Sequence, residues 1–185
     1  IKFYGTIKDV PVANLRYYSI YGAYEEPDRL IPQLIDKGMK GTYPPLVQPD
    51  ISRDFVYVDD AVYATLLSAT NIQNVQGKSL NIASSKKTTI RDIATTIKEI
   101  FSIEKNPEWG DMPNRKWDLK EWYGDASLAK ELIGWQNETP LAEGLKKNAD
   151  WQKAYSMPLY EKKLVQDKIR HKLSAVIACY KDEQA

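Results

Sequence analysis

Two hydrophobic rhythms alternate along this chain, and that alternation limits the fold more than any other feature. Val10-Pro11-Val12-Ala13-Asn14-Leu15-Arg16-Tyr17-Tyr18-Ser19-Ile20-Tyr21-Gly22 is apolar and rich in β-branched and aromatic residues. It reads as a buried strand running into a loop at Gly22. Asp28 to Gly38 then places Leu30, Ile31, Leu34 and Ile35 at helical spacing, with Pro32 in a first turn and Gly38 positioned to end the helix. After a loop from Thr42 to Ser52 with three prolines, Phe55-Val56-Tyr57-Val58 reads as a short strand. Asp59 and Asp60 stand where a helix cap belongs, ahead of Ala61 to Ala69. Lys78 to Ala83 is another strand. Thr89 is placed to cap a helix whose apolar face is Ile90, Ile93, Ala94, Ile97, Ile100 and Phe101. Strands that alternate with helices define an α/β class.

The remainder is less regular. Ser127 to Ile133 reads as a short helix closed by Gly134, and Thr139-Pro140 opens another that runs through Trp151. Met157 to Lys172 is charged and weakly periodic, either a final helix or a linker, and Leu173 to Ala178 is a new apolar strand. The first residue is Ile1, and the opening residues look like a helix already in progress. The expectation is therefore a piece of a longer protein.

Composition narrows the function classes. Of 185 residues, 26 are basic and 25 acidic, a net charge of +1, so no global basic field argues for nucleic acid. One cysteine, Cys179, excludes an intramolecular disulfide, and one histidine, His171, excludes a site built from several imidazoles. No metal site is expected. No apolar run approaches the ~18 residues that a membrane helix needs, and no secretory signal opens the chain. A cytoplasmic setting is the expectation.

No complete active site is spelled out in the residues. A dinucleotide fold announces itself by Gly-x-Gly-x-x-Gly between a strand and a helix, and none of the nine glycines forms it. Walker, Gly-x-Ser-x-Gly and paired-histidine motifs are also missing. Tyr4 and Lys8 have the Tyr-x-x-x-Lys spacing that would put a base and its helper lysine on one helix face, but Pro11 stops any helix there, so the match reads as chance. Two charged motifs remain. In Arg53-Asp54-Phe55-Val56-Tyr57-Val58-Asp59-Asp60 the guanidinium at a strand entrance can hold a phosphate or pair with a neighbouring acid. In Asn114-Arg115-Lys116-Trp117-Asp118 the rigid Met112-Pro113 lead-in can fix Arg115, or the loop is merely solvated with Trp117 in the core.

Taken together and in order, five segments resemble a known family. They are Leu15 to Gly22, Arg29-Leu30-Ile31-Pro32, Arg53 to Asp60, Met112 to Asp118 and Gly124 to Trp135. They resemble the extended short-chain dehydrogenase/reductase family, the NAD-dependent nucleotide-sugar epimerases and dehydratases, over about residues 1–155. The resemblance implies the C-terminal, substrate-binding half of a Rossmann-type fold. The glycine-rich loop and the catalytic Tyr-x-x-x-Lys would precede Ile1, and residues 1–8 would be the end of the catalytic helix. Family chemistry is transient oxidation of a nucleotide-diphosphate sugar, usually at C4, by hydride transfer to NAD. By the same resemblance Tyr18 lies beside the nicotinamide and Ser19 near the sugar diphosphate, although Ser19 replaces a common asparagine. Leu30, Ile31, Pro45, Leu46 and Val47 enclose the nucleotide, Arg53 and Arg115 hold the phosphates, and Asp118 orients Arg115. The parent enzyme would be a homodimer. Residues 156–172 would form a linker or terminal helix. Residues 172–183 resemble the opening strand of family-2 glycosyltransferases, so 173–185 would begin such a domain. Two readings from other classes stay open: a sugar-nucleotide binding module without catalysis, and an appendage of the fused transferase. Epimerase and dehydratase are not distinguished.

Overall fold

The computed structural model describes residues 1–155, apart from 114, 116 and 117. A first compact unit spans Ile1–Ala154, and a second begins at Tyr155. The expected linker, the strand at Leu173 to Ala178 and the core position of Trp117 lie outside the described residues.

The first unit alternates as the sequence requires: α1 (Lys2–Thr6), β1 (Asn14–Tyr17), β2 (Ser19–Tyr21), α2 (Leu30–Gly38), β3 (Ser52–Arg53), β4 (Phe55–Tyr57), α3 (Val58–Thr70), α4 (Ile72–Val75), β5 (Ser79–Ile82), β6 (Thr88–Thr89), α5 (Ile90–Phe101), α6 (Ser127–Ile133) and α7 (Leu141–Ala154). Both longer ladders are parallel. β1 pairs with β5 from Asn14↔Ser79 to Tyr17↔Ile82, and β2 pairs with β4 from Ser19↔Phe55 to Tyr21↔Tyr57. β3 and β6 form a short antiparallel pair, Ser52↔Thr89 and Arg53↔Thr88.

The expected single strand from Val10 to Gly22 is therefore two. Val10 to Ala13 stay outside the ladder, and the chain changes partner at Tyr18. Tyr18 N–H donates to Ile82 O at 3.1 Å, whereas Ser19 N–H donates to Asp54 O at 2.9 Å. Polar-group satisfaction dictates the break, because each backbone donor takes the carbonyl nearest to it. At the far end of β2, Gly22 adopts φ 144° and a Cβ there would fall 2.5 Å from Val58 Cγ1. Only glycine allows α3 to start so close to this turn.

Local signals explain the helices. Thr89 Oγ1 accepts from Asp92 N–H and the Asp92 carboxylate accepts from Thr89 N–H, a reciprocal cap that starts α5 where expected. Gly134 closes α6 in the left-handed region at φ 69°. Gly38 works differently from the expectation. It is the last residue of α2 and is not left-handed; a Cβ there would meet Phe101 Cδ2 at 2.6 Å, so it is small for close packing on α5. Asp59 and Asp60 are not caps either. α3 begins one residue ahead of Asp59, with Tyr57 at its cap position, which puts both acids in the first turn. Asp60 is buried there, its Oδ2 accepting from Thr139 N–H at 2.9 Å and its backbone oxygen from Trp135 Nε1–H at 2.9 Å.

Two apolar clusters form the core. In one, Leu34 and Ile35 of α2, Ile93 and Ile97 of α5 and Leu145 of α7 pack around Tyr21 and Tyr57. In the other, Val56, Leu80 and Ile82 pack against α3, α6 and Trp135. Together they fix the strand ends that carry the site.

Candidate functional site

β3 is stitched into place on both sides. One edge pairs with β6; the other is bound by the segment 118–122. Ser52 N–H donates to Leu119 O at 3.0 Å, Ser52 Oγ donates to Lys120 O at 2.7 Å, and Trp122 N–H donates to Ser52 Oγ at 2.9 Å. The next residue but one, Asp54, is fully buried and its carboxylate takes four donors. Ser84 N–H and Ser84 Oγ reach Oδ1 at 2.6 and 2.7 Å, while Ser85 N–H and Gly124 N–H reach Oδ2 at 3.1 and 3.0 Å. That is a saturated buried carboxylate, and it anchors the end of the 118–124 segment beside β4.

Between these anchors Arg53 is aimed by three contacts. Its Nη2 donates to Asp118 Oδ1 at 2.5 Å, its Nη1 donates to Ser52 O at 2.7 Å, and its guanidinium carbon lies 5.4 Å from the Trp122 ring centre. Asp118 is 5% exposed at its side chain and Arg53 21%. Asp118, expected beside Arg115, contacts both arginines. Its Oδ1 takes Arg53, and its Oδ2 takes the backbone N–H of Arg115 at 2.7 Å. An Asp side chain three residues downstream of an exposed backbone N–H closes the turn, which leaves its second oxygen to reach across to β3.

These elements border one cleft of about 710 Å³. Its wall includes every residue expected to hold substrate: Ser19, Leu30, Ile31, Pro45, Leu46, Val47, Arg53, Arg115 and Asp118. Leu46 is held from behind, its carbonyl accepting from Gly110 N–H at 3.0 Å and Met112 N–H at 3.3 Å. Tyr18 does not border the cleft. Its side chain points to the opposite face of the strand from Ser19, where a Cβ on Gly124 would fall 2.5 Å from its Cζ. Tyr4 stands exposed on α1, which ends at Thr6 before Lys8, so the two share no helix face.

Sequence reading missed part of the wall. Glu25, Glu26, Asp28 and Trp122 also border the cleft. The run Glu-Glu-Pro-Asp at 25–28 is a legible cluster of acids between a strand and a helix. Burial pushes the Glu25 carboxyl up to about 7, against the opposing pull of Arg29, whose Nε lies 3.7 Å away. Among the described residues no group of histidine, cysteine and acidic side chains could hold a metal ion, and no helix is long and apolar enough to cross a membrane.

The fold defines an α/β protein of the Rossmann type, with one cleft that carries both arginines and carboxylates. Residues 3–83 match the NAD dependent epimerase/dehydratase family. A putative UDP-glucose 4-epimerase of Methanocaldococcus jannaschii is 31% identical over 157 residues, covering 83% of this chain and 49% of that protein. A trifunctional UDP-glucose 4,6-dehydratase/UDP-4-keto-6-deoxy-D-glucose 3,5-epimerase/UDP-4-keto-L-rhamnose-reductase of Arabidopsis thaliana is 28% identical, covering 80% of this chain and 22% of that protein. Among solved structures, the Bordetella bronchiseptica enzyme WbmF in complex with NAD+ and UDP superposes with a TM-score of 0.71 at 26% identity, covering 93% of this chain and 55% of that one. The chain thus spans half or less of the length of these two curated relatives.

Proposed function

We propose that this chain supplies the substrate-holding part of an NAD-dependent nucleotide-sugar epimerase or dehydratase. One observation carries the reading: residues from five separate segments, each expected on a substrate, converge on a single cleft whose arginine is held in aim by a buried carboxylate. A pyrophosphate entering a cleft needs fixed positive partners, because a desolvated anion without them is costly. Arg53 arrives on β3 and Arg115 on the loop before Asp118, so each approaches the diphosphate from its own segment. Leu30, Ile31 and Pro45 to Val47 give the apolar wall against which a nucleoside lies, and the Ser19 hydroxyl offers a hydrogen bond beside it.

In the whole enzyme NAD accepts and returns a hydride. The residues described here do not by themselves fit a dinucleotide. None of the nine glycines forms the phosphate-cradling turn, and Tyr18 is the one residue placed by family resemblance beside a nicotinamide. This chain's contribution is grip: it binds and orients the sugar nucleotide and keeps its diphosphate neutralised.

The test is calorimetric titration of UDP-glucose into the full chain and into Arg115→Ala. A hydrogen bond to a charged group contributes roughly 1.5–3 kcal/mol, so affinity should fall by about one to two orders of magnitude. The Arg115 backbone N–H, which closes the turn on Asp118, survives the change, and melting should hardly move. Equal affinity for the two proteins would overturn the assignment.

A further inference from the structure

Ser52 is fully buried and does not border the cleft, yet its bonds reach or adjoin each group that aims Arg53. Its carbonyl accepts from Arg53 Nη1 at 2.7 Å. Its N–H donates to the carbonyl of Leu119, the chain neighbour of Asp118. Its hydroxyl works in both directions, donating to Lys120 O at 2.7 Å and accepting from Trp122 N–H at 2.9 Å. A serine hydroxyl has a single proton to give, and here that proton is committed. An apolar residue in its place would leave the Lys120 carbonyl and the Trp122 N–H without these partners, which is costly where water is excluded.

The Trp122 ring depends on that hydroxyl. Its backbone is pinned to β3 by Ser52 Oγ, and two residues on, Gly124 N–H is tied to the buried Asp54. The indole is 37% exposed, so core packing alone does not hold it, and its centre lies 5.4 Å from the Arg53 guanidinium carbon. A guanidinium carries five N–H donors in one plane. Ser52 O and Asp118 Oδ1 take two of them, which leaves three for a ligand. A ring against the guanidinium fixes the plane in which those three lie. A phosphate held by two parallel N–H bonds depends on that plane, because the bonds form only when fork and oxygens are aligned.

We propose that Ser52 is a positioning residue: through Trp122 its hydroxyl sets the plane of Arg53, and with it the grip of the cleft on a phosphate group. The inference rests on the diphosphate reading given above. It places control of the phosphate contact in a side chain outside the cleft wall. Asp118 draws the guanidinium to one side, and Ser52 and Trp122 keep it from turning about that bond.

The experiment titrates UDP, followed by NMR so that millimolar affinities can be read, into the full chain and into Ser52→Ala, Trp122→Leu and their double variant. The two single changes are also made on an Arg53→Ala background. Arg53→Ala should weaken UDP by about one to two orders of magnitude. Ser52→Ala and Trp122→Leu should each weaken it by about three- to ten-fold, and together no more than the larger single loss, because they act on one contact. With Arg53 already removed, neither change should shift affinity by more than about two-fold. A loss as large on that background as in the intact protein means an effect on the ligand or on the fold at large, which overturns the inference and leaves the cleft reading standing. If Ser52→Ala proves too unstable to titrate, Trp122→Leu decides, and unchanged UDP affinity in that variant overturns the inference. Undiminished binding after Arg53→Ala, or no binding of millimolar UDP by the unaltered chain, removes the diphosphate reading and this inference with it.

Discussion

Cutting the Arg53–Asp118 contact separates structure from binding. The pair is nearly sheltered from water, with Asp118 5% exposed and Arg53 21%, so the median exposed-pair value of about 0–1 kcal/mol does not apply. A charge-assisted hydrogen bond at 2.5 Å contributes roughly 1.5–3 kcal/mol. Arg53→Ala also deletes the bond to Ser52 O and the stacking on Trp122, the latter worth about 0.5–1 kcal/mol. The total cost is therefore about 2–4 kcal/mol, or a fall in melting temperature of roughly 4–16 °C for a chain of this size. Asp118→Ala should cost a similar amount, because it leaves the mostly buried Arg53 guanidinium without its carboxylate. The two losses must not add. In a double-mutant cycle followed by urea unfolding, the coupling between the two residues should be about 1.5–3 kcal/mol. A coupling under about 0.5 kcal/mol would refute the argument that Asp118 holds Arg53 in aim, and would return Arg53 to a solvated surface role.

Two further outcomes test the frame around the cleft. Asp54→Ala leaves Ser84 N–H, Ser85 N–H and Gly124 N–H without their acceptor, so it should destabilise by about 3–5 kcal/mol in urea unfolding; a loss under about 1 kcal/mol would deny the carboxylate its anchoring role. Glu25 sets a pH dependence. Its folded-state pKa, near 7, lies above the unfolded 4.5, so between those values the unfolded chain releases a proton that the folded chain keeps. Stability is fully present below about pH 4.5 and declines by up to about 3 kcal/mol as pH rises to 7, then levels off. Glu25→Gln should remove that slope when unfolding is measured at pH 5 and pH 8, and identical slopes in the two proteins would exclude Glu25 as its source.

How much of this was legible in the residues follows from what each signal depends on. Helix α5 was readable end to end because cap, apolar stripe and stop are all local, and the Thr89–Asp92 cap falls on the residue expected. The break at Tyr18 was not readable, since which carbonyl a strand donor meets depends on strands 36 and 65 residues away. Asp59 and Asp60 misled for a related reason. Acids before an apolar run look like caps, yet the partner that decides the role of Asp60 is Thr139, on a distant loop. The cleft residues came from family resemblance, and no periodicity would have gathered Ser19, Leu46 and Arg115. The second contact of Asp118, to Arg53, escaped even the resemblance, because proximity in sequence to Arg115 said nothing of β3 lying across the gap.

The change of partner at Tyr18 also sets a timetable for synthesis. β1 finds its ladder only when Ser79 to Ile82 exist, 65 residues after it. A ribosome adds about 5–20 residues each second, so the edge of this strand that faces β5 waits roughly 3–13 s for its partner. α2 lies between β2 and β4, and α2 and α3 both lie between β1 and β5, so α2 can wind before either parallel ladder closes and α3 before the β1–β5 ladder does. The nascent chain is thus most exposed to wrong pairing and to chaperone capture in a defined interval, after Tyr21 has emerged and before Ile82 has.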